Sequence, residues 1–304
     1  MVYDYDLNRN LLNVNLGGYV QSIAANQFLH VSDVGSYFSR DNMSSLRGGD
    51  CAILNGWYRI KEKAHLLAEG VNILPVSIHI HNKKELNDVV SVMRNWSNRG
   101  GGRRIGCRDL STLKVLRDMG FDAYFSSCLT TTLFYEFGRI PFAEREGVVF
   151  CDVNFDKRFP LSILLKRRKM KKACEEILLS YKNEPVYKVT HMCPVSESHE
   201  SRFALARSLL RLYSSAKVVI TSRIHCALPC LAMGTPVILA VDNYDNKRYP
   251  GIDAFLNKVY YSSSGEFVAD IQLQSGLVVN NEKHLSYAND LIRECESFVK
   301  SCSD

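Results

Sequence analysis

An arginine and a histidine two residues apart stand where an apolar run gives way to a helical one. Val218-Val219-Ile220 leads into Thr221-Ser222-Arg223-Ile224-His225, and the helical stretch that follows ends at Gly234. The first turn of a helix leaves backbone N–H groups unpartnered, and together with the helix dipole they favour an anion. An arginine there adds a planar fork suited to carboxylate or phosphate. Thr221 and Ser222 add hydroxyls, and His225 can move a proton near neutral pH. This set suits the capture of an anionic substrate followed by proton transfer. The same residues also fit a structural arrangement, with a packed histidine and Arg223 in an ion pair.

Three further places share this position beyond an apolar run. In Arg103-Arg104-Ile105-Gly106-Cys107-Arg108-Asp109, Arg108 opens a helix beside Gly106 and Cys107, both small enough to let an anion approach. Asp109 there fits a general base, and it also fits a plain helix N-cap. The preceding Gly100-Gly101-Gly102 matches neither of the glycine-rich phosphate fingerprints. After Ala123-Tyr124-Phe125, the stretch Ser126-Ser127-Cys128-Leu129-Thr130-Thr131-Thr132 offers hydroxyls and N–H groups for a sugar or phosphate, or for satisfying a buried turn. After Ala52-Ile53-Leu54, the stretch Asn55-Gly56-Trp57-Tyr58 offers an amide and an aromatic pair that could stack on a sugar or fill a core.

The elements that must position these residues are short buried-type strands alternating with helices. Strands are expected at Ala52–Leu54, Ile73–Ile78, Ala123–Phe125, Val148–Cys151, Val186–Val189, Val218–Ile220 and Val237–Val241. Helices are expected after Asp109 up to Gly120, over Ser201–Ser215, and over 284–301 at the end of the chain. That alternation predicts an α/β fold with largely parallel sheets. A polar stretch ending in proline, residues 152–160, is the expected seam between an N-terminal Rossmann-like domain, 1–151, and a C-terminal one, 152–304. In such sheets ligands sit beyond the carboxyl ends of the strands, which is where the four stretches fall.

Length and composition allow this. The 304 residues suffice for two cores, and 46% hydrophobic with 23% charged residues is ordinary for a globular chain. The longest apolar stretch, Cys226–Met233, holds Pro229 and is too short to cross a bilayer. Nothing at the N-terminus reads as a signal peptide, so a cytoplasmic location is expected. No Cys-x-x-Cys pair occurs among the ten cysteines. Most are therefore expected to be free, reduced and buried, and no zinc or redox pair is expected. Net charge is +6, with one dense run, Lys166-Arg167-Arg168-Lys169-Met170-Lys171-Lys172. It reads either as a solvated helix face or as a contact for anionic lipid, at about 1 kcal/mol per basic residue.

The blocks together resemble one family. Thr221-Ser222-Arg223-Ile224-His225-Cys226-Ala227-Leu228-Pro229 followed by Gly234-Thr235-Pro236-Val237-Ile238 is similar to the signature block of polysaccharide pyruvyl transferases. Gly106-Cys107-Arg108-Asp109 with Thr112, and Ser127-Cys128-Leu129-Thr130, resemble their middle blocks, and Asn15-Leu16-Gly17-Gly18-Tyr19-Val20-Gln21 their N-terminal glycine-rich turn. The resemblance spans residues 15 to 240. It implies a two-domain fold like the GT-B glycosyltransferases, phosphoenolpyruvate as donor and co-substrate, and a ketal-linked pyruvate on a hexose of a bacterial surface or capsular polysaccharide. It implies His225 and Arg223 as the donor-site pair, with Arg108 as a further donor arginine. Substrate contacts are then expected from Thr221, Ser222, Gly106, Cys107, Asp109, Ser127, Asn55, Trp57 and Gly17. No cofactor, metal or nucleic acid is expected. The acceptor would contain a hexose, in a lipid-linked form if the protein docks peripherally on the anionic inner face of the membrane. Two other readings share the fold: a nucleotide-sugar glycosyltransferase, and a binding module without turnover.

Overall fold

The computed structural model describes residues 2–4, 12–29, 37–81, 86–153, 161–242, 244 and 247–303. Two main sheets organise them. The first has four parallel strands in simple order: Cys51–Tyr58, Asn72–Ile80, Ile105–Cys107 and Ala123–Phe125. The second has six. Across it run Val186–Val189, Val148–Cys151, Val218–Thr221, Val237–Val241, Asn257–Tyr261 and Phe267–Asp270, with only the last antiparallel. In chain order this is 2-1-3-4-5-6. The direction of winding therefore reverses between Val148–Cys151 and Val218–Thr221, and a crevice opens beyond the carboxyl ends of those two strands. Val218–Thr221 and Val237–Val241 are buried along their whole length, as parallel strands covered on both faces must be.

The α/β class and the parallel sheets agree with the sequence reading, and several strands match it to the residue. Ile105–Cys107 was not foreseen. It is three residues long and centred on glycine, so it carries no apolar run. A Cβ on Gly106 would lie 2.9 Å from Ser126 Cβ, so only glycine fits beside the neighbouring strand end. Asn257–Tyr261 and Phe267–Asp270 were also unforeseen. The expected N-terminal glycine-rich turn is instead the start of a helix, Gly17–Leu29, reached from strand Asn13–Asn15, which pairs antiparallel with Met192–Pro194. Of the expected seam, Asp152 and Val153 close a strand, while residues 154–160 lie outside the described residues.

One apolar cluster runs through both halves. It holds Val20 and Ile23 of the first helix, Ile78 and Leu116 of the four-stranded side, and Leu228 and Leu231 of helix Ile224–Ala232. The last helix, His284–Ser303, crosses to the four-stranded sheet and contributes Leu291, Cys295 and Phe298 to the same cluster. Its end is tied there by a disulfide between Cys51 and Cys302, with Cα atoms 6.5 Å apart. The other eight cysteines are free and buried. The thiol state expected for most of the ten thus holds for eight, and this pair is the exception.

Helix Leu161–Leu178 covers the opposite face of the six-stranded sheet with Met170, Cys174 and Ile177. That orientation divides the basic run. Arg167, only 8% exposed, turns inward and grips Asp242, with Nε 3.1 Å and one terminal nitrogen 2.5 Å from Oδ2. Lys166 and Lys169 lie over the rings of Tyr261 and Phe267 at 4.9 and 4.7 Å. Arg168 and Lys172 face solvent. The run is therefore not one uniform cationic face. No described helix is long and apolar enough to cross a membrane.

Arg167→Gln should accordingly lower stability by about 1–2 kcal/mol, the scale of a charge-assisted hydrogen bond lost from a shielded pair. Lys172→Gln should stay within about 0.5 kcal/mol of the parent. Denaturant melts of the two variants check this; equal midpoints would mean that the Asp242 grip contributes nothing.

Candidate active site

Strand Val148–Cys151 ends in Asp152, held at φ 54°. Aspartate tolerates this left-handed conformation better than most residues. There its carboxylate collects three donors: Thr190 Oγ1 at 2.6 Å, the His191 N–H at 3.0 Å and Arg223 Nε at 2.8 Å. Burial alone would raise the Asp152 carboxyl. The hydrogen bonds from Thr190 and His191 and the Arg223 charge outweigh it and hold the group below the usual carboxylate range. Thr221 Oγ1 donates to Cys151 O at 3.0 Å, and Ser222 Oγ to Asp152 O at 2.9 Å. The hydroxyls expected to contact substrate thus lace the two strands together at the crevice. Arg223 takes the ion-pair geometry, with its side chain about one-third exposed.

The facing wall comes from the ends of the four-stranded sheet. Arg108 follows Ile105–Cys107 and is 1% exposed, with Nε 3.8 Å from Asp109 Oδ2. Asp109 caps helix Leu110–Asp118, accepting from Thr112 N at 2.9 Å, and its other oxygen takes His79 Nδ1 at 2.5 Å. The carboxylate fixes the His79 proton on Nδ1. The segment 247–251 reaches across from the six-stranded side: Leu110 N donates to Pro250 O at 2.9 Å. At Gly251, φ 97°, a Cβ would strike the Phe125 ring at 2.7 Å. The crossing is therefore backbone against aromatic, and it delivers Arg248 to the wall.

His225 stands between these walls. It lies in the first turn of helix Ile224–Ala232 with φ −83° and ψ 15°, outside helical values, so the helix bends at this residue. Gly17 is packed on the imidazole: a Cβ there would be 3.1 Å from Nδ1 and 3.3 Å from the histidine Cβ. Burial, followed by the charges of Arg108 and Arg248, His191, and Arg40, holds the His225 imidazole well below its usual range. It is neutral in the free protein near pH 7. His79 is lowered too, by burial, and by Arg108 and Arg248 against the opposing Asp109. Cations from both halves thus converge on one half-buried histidine. His225 Nε2, Arg108 Nε and Arg248 Nε find no hydrogen-bond partner among the described residues. Guanidinium N–H groups left in this way mark the place of an oxygen-rich anion, and the imidazole nitrogen beside them can take or give a proton.

The structure brings His225, Arg108, Asp109 and Gly17 together, with Arg223 at the crevice edge. Gly106 and Cys107 lie within a strand: Gly106 makes room for Ser126, and Cys107 is a fully buried thiol that burial pushes up in pKa. Ser127 is buried at φ 65° beside Arg108's strand end, and its Oγ has no partner among the described residues. Asn55 is buried, with Nδ2 3.4 Å from Gln21 O. Trp57 packs against His81 at 4.8 Å, with the Arg40 guanidinium over its ring at 5.6 Å. Arg40, Arg248, His79 and His191 were not singled out from sequence. Arg248 had a usable signal, since it follows the run Val237–Val241; Arg40 follows no apolar run and had none. Beneath His225, Cys151, His191 and Cys226 cluster, all buried.

This geometry predicts anion binding before any activity is assumed. Inorganic pyrophosphate should raise the melting temperature by mass action. Arg248→Gln, a change at a half-buried side chain, should weaken that binding about tenfold or more, the scale of one charge-assisted hydrogen bond. An unchanged pyrophosphate titration in that variant would take Arg248 out of the site.

Comparison with curated proteins returned no match. Comparison with protein families did: the model of the family described as polysaccharide pyruvyl transferase matches residues 15–246, well over half of the chain. The match runs from the strand before Gly17, through Arg108 and Asp152, to the segment just short of Arg248. With His225, Arg108 and Arg223 inside those limits, the chain belongs to the polysaccharide pyruvyl transferase family.

Proposed function

We propose that the protein transfers the pyruvyl unit of phosphoenolpyruvate to two hydroxyls of a hexose as a ketal, within a two-domain GT-B-like arrangement of its Rossmann-like halves. The observation that carries this reading is the set of buried nitrogens of Arg108, Arg248 and His225 that find no partner among the described residues, with the charges of those arginines and Arg40 adding to burial to keep His225 neutral. Phosphoenolpyruvate offers a carboxylate and a phosphate, two anionic groups at opposite ends of a small molecule. Arginines fixed on both walls suit such a donor, and they need no reorganisation when charge shifts during reaction.

The reaction adds one acceptor hydroxyl to the substituted vinyl carbon, while a proton goes to the terminal CH2 and makes it a methyl group. The bond from the same carbon to the phosphate oxygen then breaks, and the electron pair leaves with phosphate. The second hydroxyl bonds to that carbon, and its proton departs with inorganic phosphate. His225 enters neutral, so its first role is to take the proton of the attacking hydroxyl. The donor's anionic groups, placed against the arginines, raise the proton affinity of the imidazole, so His225 then returns a proton as an acid. Gly17 sets the ring's position. Arg223, held by Asp152 at the crevice edge, is a further donor arginine. The protein carries the proton and the charge in this scheme with its own side chains. A lipid-linked acceptor would bring exposed Arg168 and Lys172 toward an anionic leaflet.

The test is incubation with phosphoenolpyruvate and a panel of hexose-linked acceptors, read by phosphate release. His225→Ala should lose at least about 100-fold in turnover with folding intact. Gly17→Ala should lower turnover because its Cβ displaces the imidazole, at a loss of stability of no more than about 1–3 kcal/mol from the crowding at His225 and Asn15. Nucleotide sugars form the control arm. If they stabilise the protein and phosphoenolpyruvate does not, the donor assignment fails and the glycosyltransferase reading takes its place.

A further inference from the structure

Under the anion site three elements bring soft ligands to one point. Cys151 is the last residue of strand Val148–Cys151, His191 lies between strands Val186–Val189 and Met192–Pro194, and Cys226 is in the first turn of helix Ile224–Ala232. The two sulfurs and one imidazole nitrogen all lie within 4.8 Å of one another. All three residues are 0% exposed.

The hydrogen bonds assign the protons. The Tyr213 hydroxyl donates to Cys151 Sγ at 3.2 Å, so its oxygen accepts from His191 Nε2 at 2.9 Å. The His191 proton therefore sits on Nε2, and Nδ1 carries a bare lone pair. That atom is buried without a hydrogen-bond partner among the described residues. A buried imidazole lone pair left unsatisfied is costly, and on a ring that stands beside two thiols it gives the cluster the character of a ligand set. The outer contact fits as well: a metal-binding histidine ordinarily donates its second ring N–H to an oxygen that fixes its orientation. Tyr213 does this, with its ring stacked on His191 at 5.9 Å and 21°.

We propose that Cys151, His191 and Cys226 form a binding site for a soft divalent cation of the zinc class. Zinc takes thiolate at about 2.3 Å and imidazole nitrogen at about 2.0–2.1 Å, which places tetrahedral ligands about 3.8 Å apart or less. Only a small contraction of the observed cluster is needed. Binding displaces the two thiol protons, and two thiolates with a dication leave the buried site neutral. The ion joins the strand end that carries Asp152, the His191 turn and the helix start that carries His225. It would therefore fix the floor of the anion site. The proposal does not depend on which donor the protein uses.

The test uses the full-length protein, reduced and stripped of metal by chelator, then incubated with zinc sulfate, desalted and assayed for metal. One zinc ion per chain should survive desalting and raise the melting temperature, and cobalt(II) in its place should give a thiolate-to-cobalt charge-transfer band. Cys226→Ser and Cys151→Ser should lose the band, while Cys174→Ser, at a buried thiol on the far face of the sheet, should keep it. Should the first two variants fail to fold, the wild-type measurements decide alone. No retained zinc and no cobalt band in wild type would overturn the proposal, as would a Cys151–Cys226 disulfide found by peptide mapping of the protein before reduction.

Discussion

The carboxylate of Asp152 is the point from which the site is assembled. Its strand ends where the winding of the six-stranded sheet reverses, and a crevice there would otherwise leave loop ends without partners. One oxygen takes Thr190, the other takes the His191 N–H and Arg223. Its backbone carbonyl takes Ser222, which directly follows the neighbouring strand Val218–Thr221. The His191 carbonyl in turn accepts from Leu16 N at 2.7 Å, and so places Gly17 against the His225 ring. Two successive hydrogen bonds, His191 N to Asp152 and Leu16 N to His191 O, thus lead from a single carboxylate to the glycine that packs on the imidazole. Only a short polar residue that accepts φ 54° without large strain can occupy that position.

The electrostatic consequence is a balance. Burial first, and then several guanidinium groups on two walls, disfavour a protonated imidazole, so His225 is neutral in the free protein. The same groups leave hydrogen-bonding atoms without partners among the described residues, a cost that a folded chain bears where a ligand repays it. Arg108 is the extreme case. It is fully enclosed, yet Asp109 stands 3.8 Å away and is already engaged by His79 and Thr112. The carboxylate tempers the guanidinium without neutralising it, so the arginine keeps capacity for a second anion.

Much of this was legible in the residues because parallel strands buried on both faces read as valine and isoleucine runs, and ligand residues follow their ends. Val148–Cys151 and Val218–Thr221 announced themselves in this way, and with them the block from Thr221 to His225. Asp109 as a cap was equally plain. What escaped has physical reasons. Ile105–Cys107 is a strand because Gly106 admits Ser126, a tertiary requirement without local pattern. Gly17 and Gly18 suggested a turn, but the space needed by His225, more than 200 residues away, explains Gly17 at the start of a helix. Arg167 looked like its basic neighbours until the sheet showed Asp242 opposite it. The ligands at 151, 191 and 226 have no common spacing, so no motif could reveal them.

The C-terminal helix gives the fold a timetable. Leu291, Cys295 and Phe298 complete the apolar cluster against a sheet whose last strand, Ala123–Phe125, leaves the ribosome far earlier. At ordinary synthesis rates the roughly 160 residues between them take on the order of ten seconds or more to make. Throughout that interval the four-stranded half presents an uncovered apolar face that its own neighbouring sequence cannot close. The nascent chain must wait for its own end, and chaperones that shield such surfaces have that interval in which to act.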